Sequence, residues 1–190
     1  NVIDYSFAEK DNQFLEGTGS MILDRKNKIA YCSISERSNK DLFIKFCKDF
    51  KYIPVSFHSF QDVEKKRLPI YHTNVMMCLA EFYCIICLDC IDDGEERINV
   101  INFLENSGKE LIEISENQVE NFAGNMLELL NEKGESLLVM SKSAENSLNE
   151  NQKNLINKYS RIVSSDINTI EVCGGGSARC MIAEIFLPKK

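Results

Sequence analysis

Four turns of unlike sequence, "FLEGTG", "IYHTN", "NFAGN" and "GGGSARC", recur at nearly constant spacing, and each leads into a short apolar run. Their marker side chains, Glu16, His72, Asn125 and Cys180, stand 56, 53 and 55 positions apart. A fixed period marks a repeated supersecondary unit. The segments between markers repeat in kind as well as in spacing. In the first, "SMILD" and "IAYCSI" read as strands, "SNKDLFIKFCKDF" as a helix and "YIPVSF" as a returning strand. The helix shows an apolar stripe of Leu42, Phe43, Phe46 and Phe50, with Ser38 and Asp41 as a capping box. "NVMMCLA", "YCIICLDCI", "EERINVINFLEN" and "KELIEIS" repeat strand, strand, helix and strand, the helix stopped by Gly108. A third pass has "NMLELLN" and "SLLVMS", a helix opened by Ser147 with Glu150 and carrying Leu155, Ile156 and Tyr159, then "RIVSSDI". "CMIAEIFLP" begins a fourth. The fold class is α/β, and if the units close round an axis the four marker side chains point into one central cavity.

A chain of 190 residues with 44% hydrophobic and 27% charged residues can build a real core as one domain. A net charge of −7 offers no basic stripe for phosphates, so no nucleic-acid partner is expected. The apolar runs are too short to cross a bilayer, so no membrane partner is expected either. Eight cysteines raise the question of a metal, most pointedly at Cys84, Cys87 and Cys90 in "CIICLDC". That run reads as a buried strand. Residues three apart on a strand face opposite sides, so Cys84 and Cys87 are expected not to share an ion, and to act as small hydrophobes. Scattered cysteines without a secretion signal point to a reducing, cytoplasmic setting.

The four markers carry different chemistry. A cysteine thiolate is the strongest nucleophile available, favoured by a nearby positive charge or a histidine. Of the two histidines, His58 and His72, only His72 falls on the register, and it can serve as general acid and base near neutral pH. Glu16 can accept paired hydrogen bonds from a planar guanidinium or ureido group. Gly174–Gly176 let the backbone approach a ligand closely. Taken singly, each residue has a plainer reading: a buried cysteine, a core histidine, a turn carboxylate and, for Asn125, a capping residue. The shared register favours a common site over those separate readings. "GGGSAR" lacks the Gly-Lys-Ser/Thr ending of a P-loop.

"FLEGTGSMILDR", "IYHTNVMMCLAE", "NFAGNMLEL" and "GGGSARCMIAEIFLP" resemble the amidinotransferase superfamily of guanidine-modifying enzymes over essentially the whole chain. They look closest to the citrulline-utilization hydrolases, relatives of arginine deiminase and dimethylarginine hydrolase. The resemblance implies a five-bladed α/β propeller of strand-strand-helix-strand units, of which this chain covers about three. It makes Cys180 the nucleophile, His72 the general acid/base and Glu16 the acid that binds substrate. Asn74, Asn125, Arg179 and Gly176 are the substrate-binding candidates, with Asn125 positioning and Arg179 serving a substrate carboxylate or the thiolate. The family pattern often carries an Asp two residues beyond the histidine; here Asn74 stands there, which keeps a polar contact and removes a charge. Asp24 is left unassigned.

The expected activity is hydrolysis of the C–N bond in a ureido or guanidino amino acid, citrulline first and arginine second. It proceeds through a covalent cysteine intermediate, without metal or organic cofactor. An amidinotransferase and a non-catalytic ligand-binding propeller are the alternatives. A small amino acid is the expected partner, with a homo-oligomer possible. Because three units cannot close a five-unit ring, the 190 residues are expected to be one catalytic domain lacking its N-terminal part. "NVIDYS" is then the closing strand of an earlier unit, and the fold an arc with an open side.

Overall fold

Each apolar pair of runs needs a helix to bring a third strand back parallel, and that connection dictates the architecture. The computed structural model describes residues 3–184. A single turn, α1 (Gly17–Ser20), leads into β1 (Met21–Asp24) and β2 (Ile29–Ser33); α2 (Lys40–Phe50) then returns the chain as β3 (Ile53–Phe57). After a hairpin of β4 (Phe60–Val63) and β5 (Lys66–Pro69), the second unit follows. It comprises β6 (Met77–Leu79), β7 (Tyr83–Ile86), α3 (Gly94–Asn106) and β8 (Glu110–Glu113). A short helix, α4 (Glu116–Glu120), precedes β9 (Leu127–Leu130) and β10 (Ser136–Ser141). The helix pair α5 (Lys142–Ser147) and α6 (Glu150–Asn157) and strand β11 (Arg161–Ser165) complete the third unit, and α7 (Asn168–Gly174) follows.

All three units share one topology. The second strand is central, antiparallel to the first and parallel to the third, giving the orders β1-β2-β3, β6-β7-β8 and β9-β10-β11. Flanked on both sides, the central strand of the second unit is apolar throughout: Tyr83, Cys84, Ile85 and Ile86 of β7 are wholly buried. One core runs through all three units, joining Tyr31 and Phe57 to Ile85, Leu104, Leu138 and Ile156. Among the described residues the sheets are separate, each outer strand paired on one side only. The mixed α/β repeat is thus established; a fivefold ring is not displayed by these residues.

Several local expectations are corrected. Asn39, not Ser38, caps α2, its side chain accepting from the Leu42 N–H, because Ser38 is engaged in a backbone bridge with Ser35. The buried stripe of that helix is Leu42, Phe43 and Cys47, while Phe50 is exposed. The third unit has two helices. Ser141 caps α5, Asn149 with Gln152 forms the capping box of α6, and extended Leu148 separates them. Strand β7 ends at Ile86, and Leu88–Cys90 is a 3-10 turn; Cys84, Cys87 and Cys90 are nonetheless fully buried. "NVIDYS" is not a strand where it is described: a 3-10 helix, Ser6–Asp11, starts there, and Tyr5 bonds to Asp49 of α2 at 2.9 Å. In "CMIAEIFLP" the described part is a 3-10 turn and irregular chain, and residues 185–190 lie outside the described residues.

Candidate active site

The markers stand where the chain turns into the first strand of each unit, or, for Cys180, in the 3-10 turn Ala178–Met181. Glu16 is fixed by its own backbone, which donates to Ser20 Oγ at 2.9 Å, while that hydroxyl donates to the Arg37 carbonyl. Beside His72, Thr73 is fully buried and crosses between units: its hydroxyl donates to the Ser20 carbonyl and accepts from the Ser33 N–H at 2.7 Å. The two turns are thereby locked together, and His72 Nε2 meets Glu16 Oε2 at 2.7 Å. With Nε2–H donating to the carboxylate, Nδ1 is the nitrogen left to accept a proton. It lies against Gly19, where a Cβ would come within 2.6 Å, so only glycine leaves that nitrogen unobstructed.

A second pair forms at the other two markers. Buried Asn125 donates from Nδ2 to Cys180 Sγ at 3.3 Å and to the Asn74 carbonyl at 3.0 Å, and its Oδ1 accepts from the Arg179 N–H. Asn125 therefore ties the thiol to the segment that carries His72. Its turn presses so closely on the second unit that a Cβ on Gly124 would sit 2.2 Å from the Val75 carbonyl oxygen. Gly176 lies directly over the thiol, with space for a Cβ only 3.3 Å from Sγ. Asn74 is buried and its side-chain oxygen has no partner among the described residues. An acceptor kept dry and unpaired is costly unless a ligand donor completes it.

Two residues missed in the sequence join the constellation. Tyr71 packs its ring 5.0 Å from that of His72, and its hydroxyl reaches the Gly175 carbonyl at 3.5 Å. Arg37 lies over the Tyr71 ring at 5.0 Å and 3.8 Å from Glu16 Oε2. Tyr71 had a signal, its place next to His72; Arg37 had none, because its contact depends on how the turn after β2 folds back. Tyr71, Asn125, Gly176 and Cys180 line a cavity of about 210 Å³, with Gln61 from the hairpin and Phe122. The Arg179 guanidinium turns away from it, to the Ile182 carbonyl at 2.9 Å and Glu184 at 3.7 Å, beside a separate cavity of about 340 Å³. His58 stands apart on the surface, paired with Glu96 at 3.0 Å.

The chain belongs to the amidinotransferase superfamily of guanidine-modifying enzymes, on the strength of a family profile that matches nearly all of it. Within it the chain belongs to the eukaryotic N,N-dimethylarginine dimethylhydrolase family, whose sequence profile matches residues 1–187. No curated protein matches the chain at a significant level. Among solved structures it is similar to apo ArgZ, an arginine dihydrolase from the ornithine–ammonia cycle in cyanobacteria. The TM-score is 0.68 at 18% identity, over 92% of this chain and 26% of ArgZ. The N-terminal domain of ArgZ with substrate bound matches at TM-score 0.64 and 18% identity, over 87% of this chain and 54% of that domain. AgrE in complex with L-arginine matches at TM-score 0.65 and 21% identity, over 88% of this chain and 22% of AgrE. The chain thus spans about a quarter to about half the length of these relatives, and at such identities they establish the shared fold.

Proposed function

We propose that the protein hydrolyses a C–N bond of a guanidino or ureido amino acid through a covalent intermediate on Cys180. The observation that carries this reading is the assembly of the four register residues into two linked pairs, Glu16–His72 and Asn125–Cys180. The Cys180 thiolate attacks the central carbon, forming an S–C bond and a tetrahedral adduct that Asn125 steadies by its hydrogen bond to sulfur. His72, held by Glu16 and entering the step protonated on Nδ1, gives that proton to the departing nitrogen as the C–N bond breaks. Water then gives its proton to His72 and its oxygen to the same carbon, the S–C bond breaks and the thiolate is regenerated. Arg37, half-exposed beside the Glu16–His72 pair, is available to the carboxylate of an amino-acid substrate.

Asn74 bears on the substrate. Its buried, unpaired oxygen accepts an N–H from either group, but its amide carries no charge to reward a guanidinium over a neutral ureido group. On that ground citrulline precedes arginine. Arginine is the competing reading, because ArgZ is an arginine dihydrolase and AgrE binds L-arginine. The protein is to be incubated with arginine, citrulline and dimethylarginine and every product identified by mass. Ornithine, carbon dioxide and ammonia should form from citrulline faster than any product forms from arginine. Faster arginine turnover would place the guanidino substrate first, and inertness toward all three would refute the hydrolase reading.

A further inference from the structure

We propose that Glu171 is a positioning residue for the reaction at Cys180, an inference that rests on the reading of Cys180 as nucleophile. Helix α7 is held in an unusual way. Its apolar Ile170 and Val172 are 45% and 75% exposed, and the side chain it buries is a carboxylate, Glu171, at 5%. Among the described residues no cation pairs with it. Its two oxygens instead each take a hydroxyl: Oε1 accepts from Ser177 Oγ at 2.6 Å and Oε2 from Ser143 Oγ at 2.8 Å. Its backbone carbonyl accepts from the Gly175 N–H, where the chain takes φ +66 at the end of the helix.

These contacts lead directly to the thiol. Ser177 is fully buried, and its carbonyl accepts the Cys180 N–H at 3.1 Å, so the residue fixed by Glu171 through its hydroxyl fixes Cys180 through its backbone. Ser143 stands on α5, in the body of the third unit. The glycine-rich loop, which has little conformational preference of its own, is therefore tied to α5 of the third unit through one carboxylate, beside the bonds from Asn125. Burying an acid without a cation is a costly way to attach a helix that has isoleucine and valine to spare. What a carboxylate adds is direction, because two charge-assisted bonds from opposite oxygens set both distance and angle between the segments they join. Sγ then stays in reach of Asn125, and misplacing a reacting atom by about 1 Å costs on the order of a hundredfold in rate.

The test compares Glu171→Leu, Glu171→Gln, Ser177→Ala and Cys180→Ser in the full-length protein, by kcat and KM on the best substrate and by thermal melting. Glu171→Leu should lower kcat by roughly a hundredfold with KM changed by less than about threefold. Glu171→Gln, which still accepts one hydroxyl, should recover to within about tenfold of the wild type. A wild-type kcat in Glu171→Leu, or equal losses in Leu and Gln variants that both fold, would overturn the proposal. Should the leucine variant fail to fold, Ser177→Ala decides: it should lose about tenfold in kcat, and full activity would refute the role. Turnover surviving in Cys180→Ser would overturn the underlying reading, whereas an inactive Cys180→Ser beside fully active Glu171 and Ser177 variants would sink this proposal alone.

Discussion

Gly19 has no side chain, and its bareness leaves His72 Nδ1 unobstructed. A methyl group there would press 2.6 Å from Nδ1 and 2.8 Å from Cε1, so Gly19→Ala has to tilt the imidazole off Glu16. We expect the alanine variant to fall by about a hundredfold in kcat, the scale of lost general acid–base help, with a melting temperature close to wild type. The two histidines give the matching control. His72→Ala should cost at least roughly a hundredfold, and His58→Ala, which removes only a surface pair with Glu96, almost nothing. Comparable losses from both would break the link between register and chemistry. The register itself was legible in the sequence because each marker sits in its own turn before an apolar run. The contacts of Arg37, Ser177 and Glu171 were not legible, since a hydroxyl or carboxylate in a loop gives no sign of the partner it will meet across the fold.

Strands and helices announced themselves where burial was one-sided or complete, as in "YCII" and at Leu42 and Phe43 of α2, because apolar spacing reports the face a core requires. The β4–β5 hairpin was missed because its turn residues are Glu64 and Lys65, which take φ of 49 and 65, positions where Asn or Gly is the usual signal. It is held from outside, by Arg67 to Asp92, Glu116 and the Asp89 carbonyl. Asp24, which the sequence left without a role, closes β1 and meets Lys109 at 3.1 Å, both side chains almost fully buried. Lys109 also donates to the Ala80 and Glu81 carbonyls, so this pair fastens the first unit to the second. Burial pushes the Asp24 carboxyl up, but the bonds from Asn27 and the charge of Lys109 outweigh it and hold the group below its ordinary value. The stability it contributes is therefore present above the ordinary carboxylate range and is lost only as pH falls through the lowered folded value. Lys109→Met should cost about 3–5 kcal/mol in urea unfolding at neutral pH, by leaving the acid unpaired. Asp24→Asn combined with Lys109→Met should cost less than Lys109→Met alone; additive losses would mean that the pair does not join the units.

At the scale of the whole molecule, the eight cysteines serve as built-in probes of whether the three units stand or fall together. Six of them, Cys32, Cys47, Cys78, Cys84, Cys87 and Cys90, are buried, while Cys173 and Cys180 lie exposed in the final segment. Burial pushes the thiols of Cys32 and Cys78 up to about 12 and that of Cys47 to about 11, so they are inert as nucleophiles near neutral pH even before access is considered. Native alkylation with iodoacetamide should therefore modify two sites, resolved by peptide mass. Substrate should protect Cys180, which lines the cavity, and leave Cys173 unprotected. The other six become reactive only when the core opens. Cys32 and Cys47 belong to a small cluster under α2, whereas Cys78, Cys84, Cys87 and Cys90 belong to the large core. That large core also contains Ile29, Tyr31, Val55 and Phe57, which come from the same first-unit sheet as Cys32. Because one sheet contributes to both clusters, the first unit cannot open without uncovering the second, and cooperative unfolding is the expectation. In a urea series all six buried thiols should gain reactivity at one midpoint. Labelling of Cys32 and Cys47 at clearly lower urea than Cys78 and Cys84 would show the first unit to be a separate foldon, with the Glu16 and His72 turns then joined by the Thr73 bonds and not by a shared core.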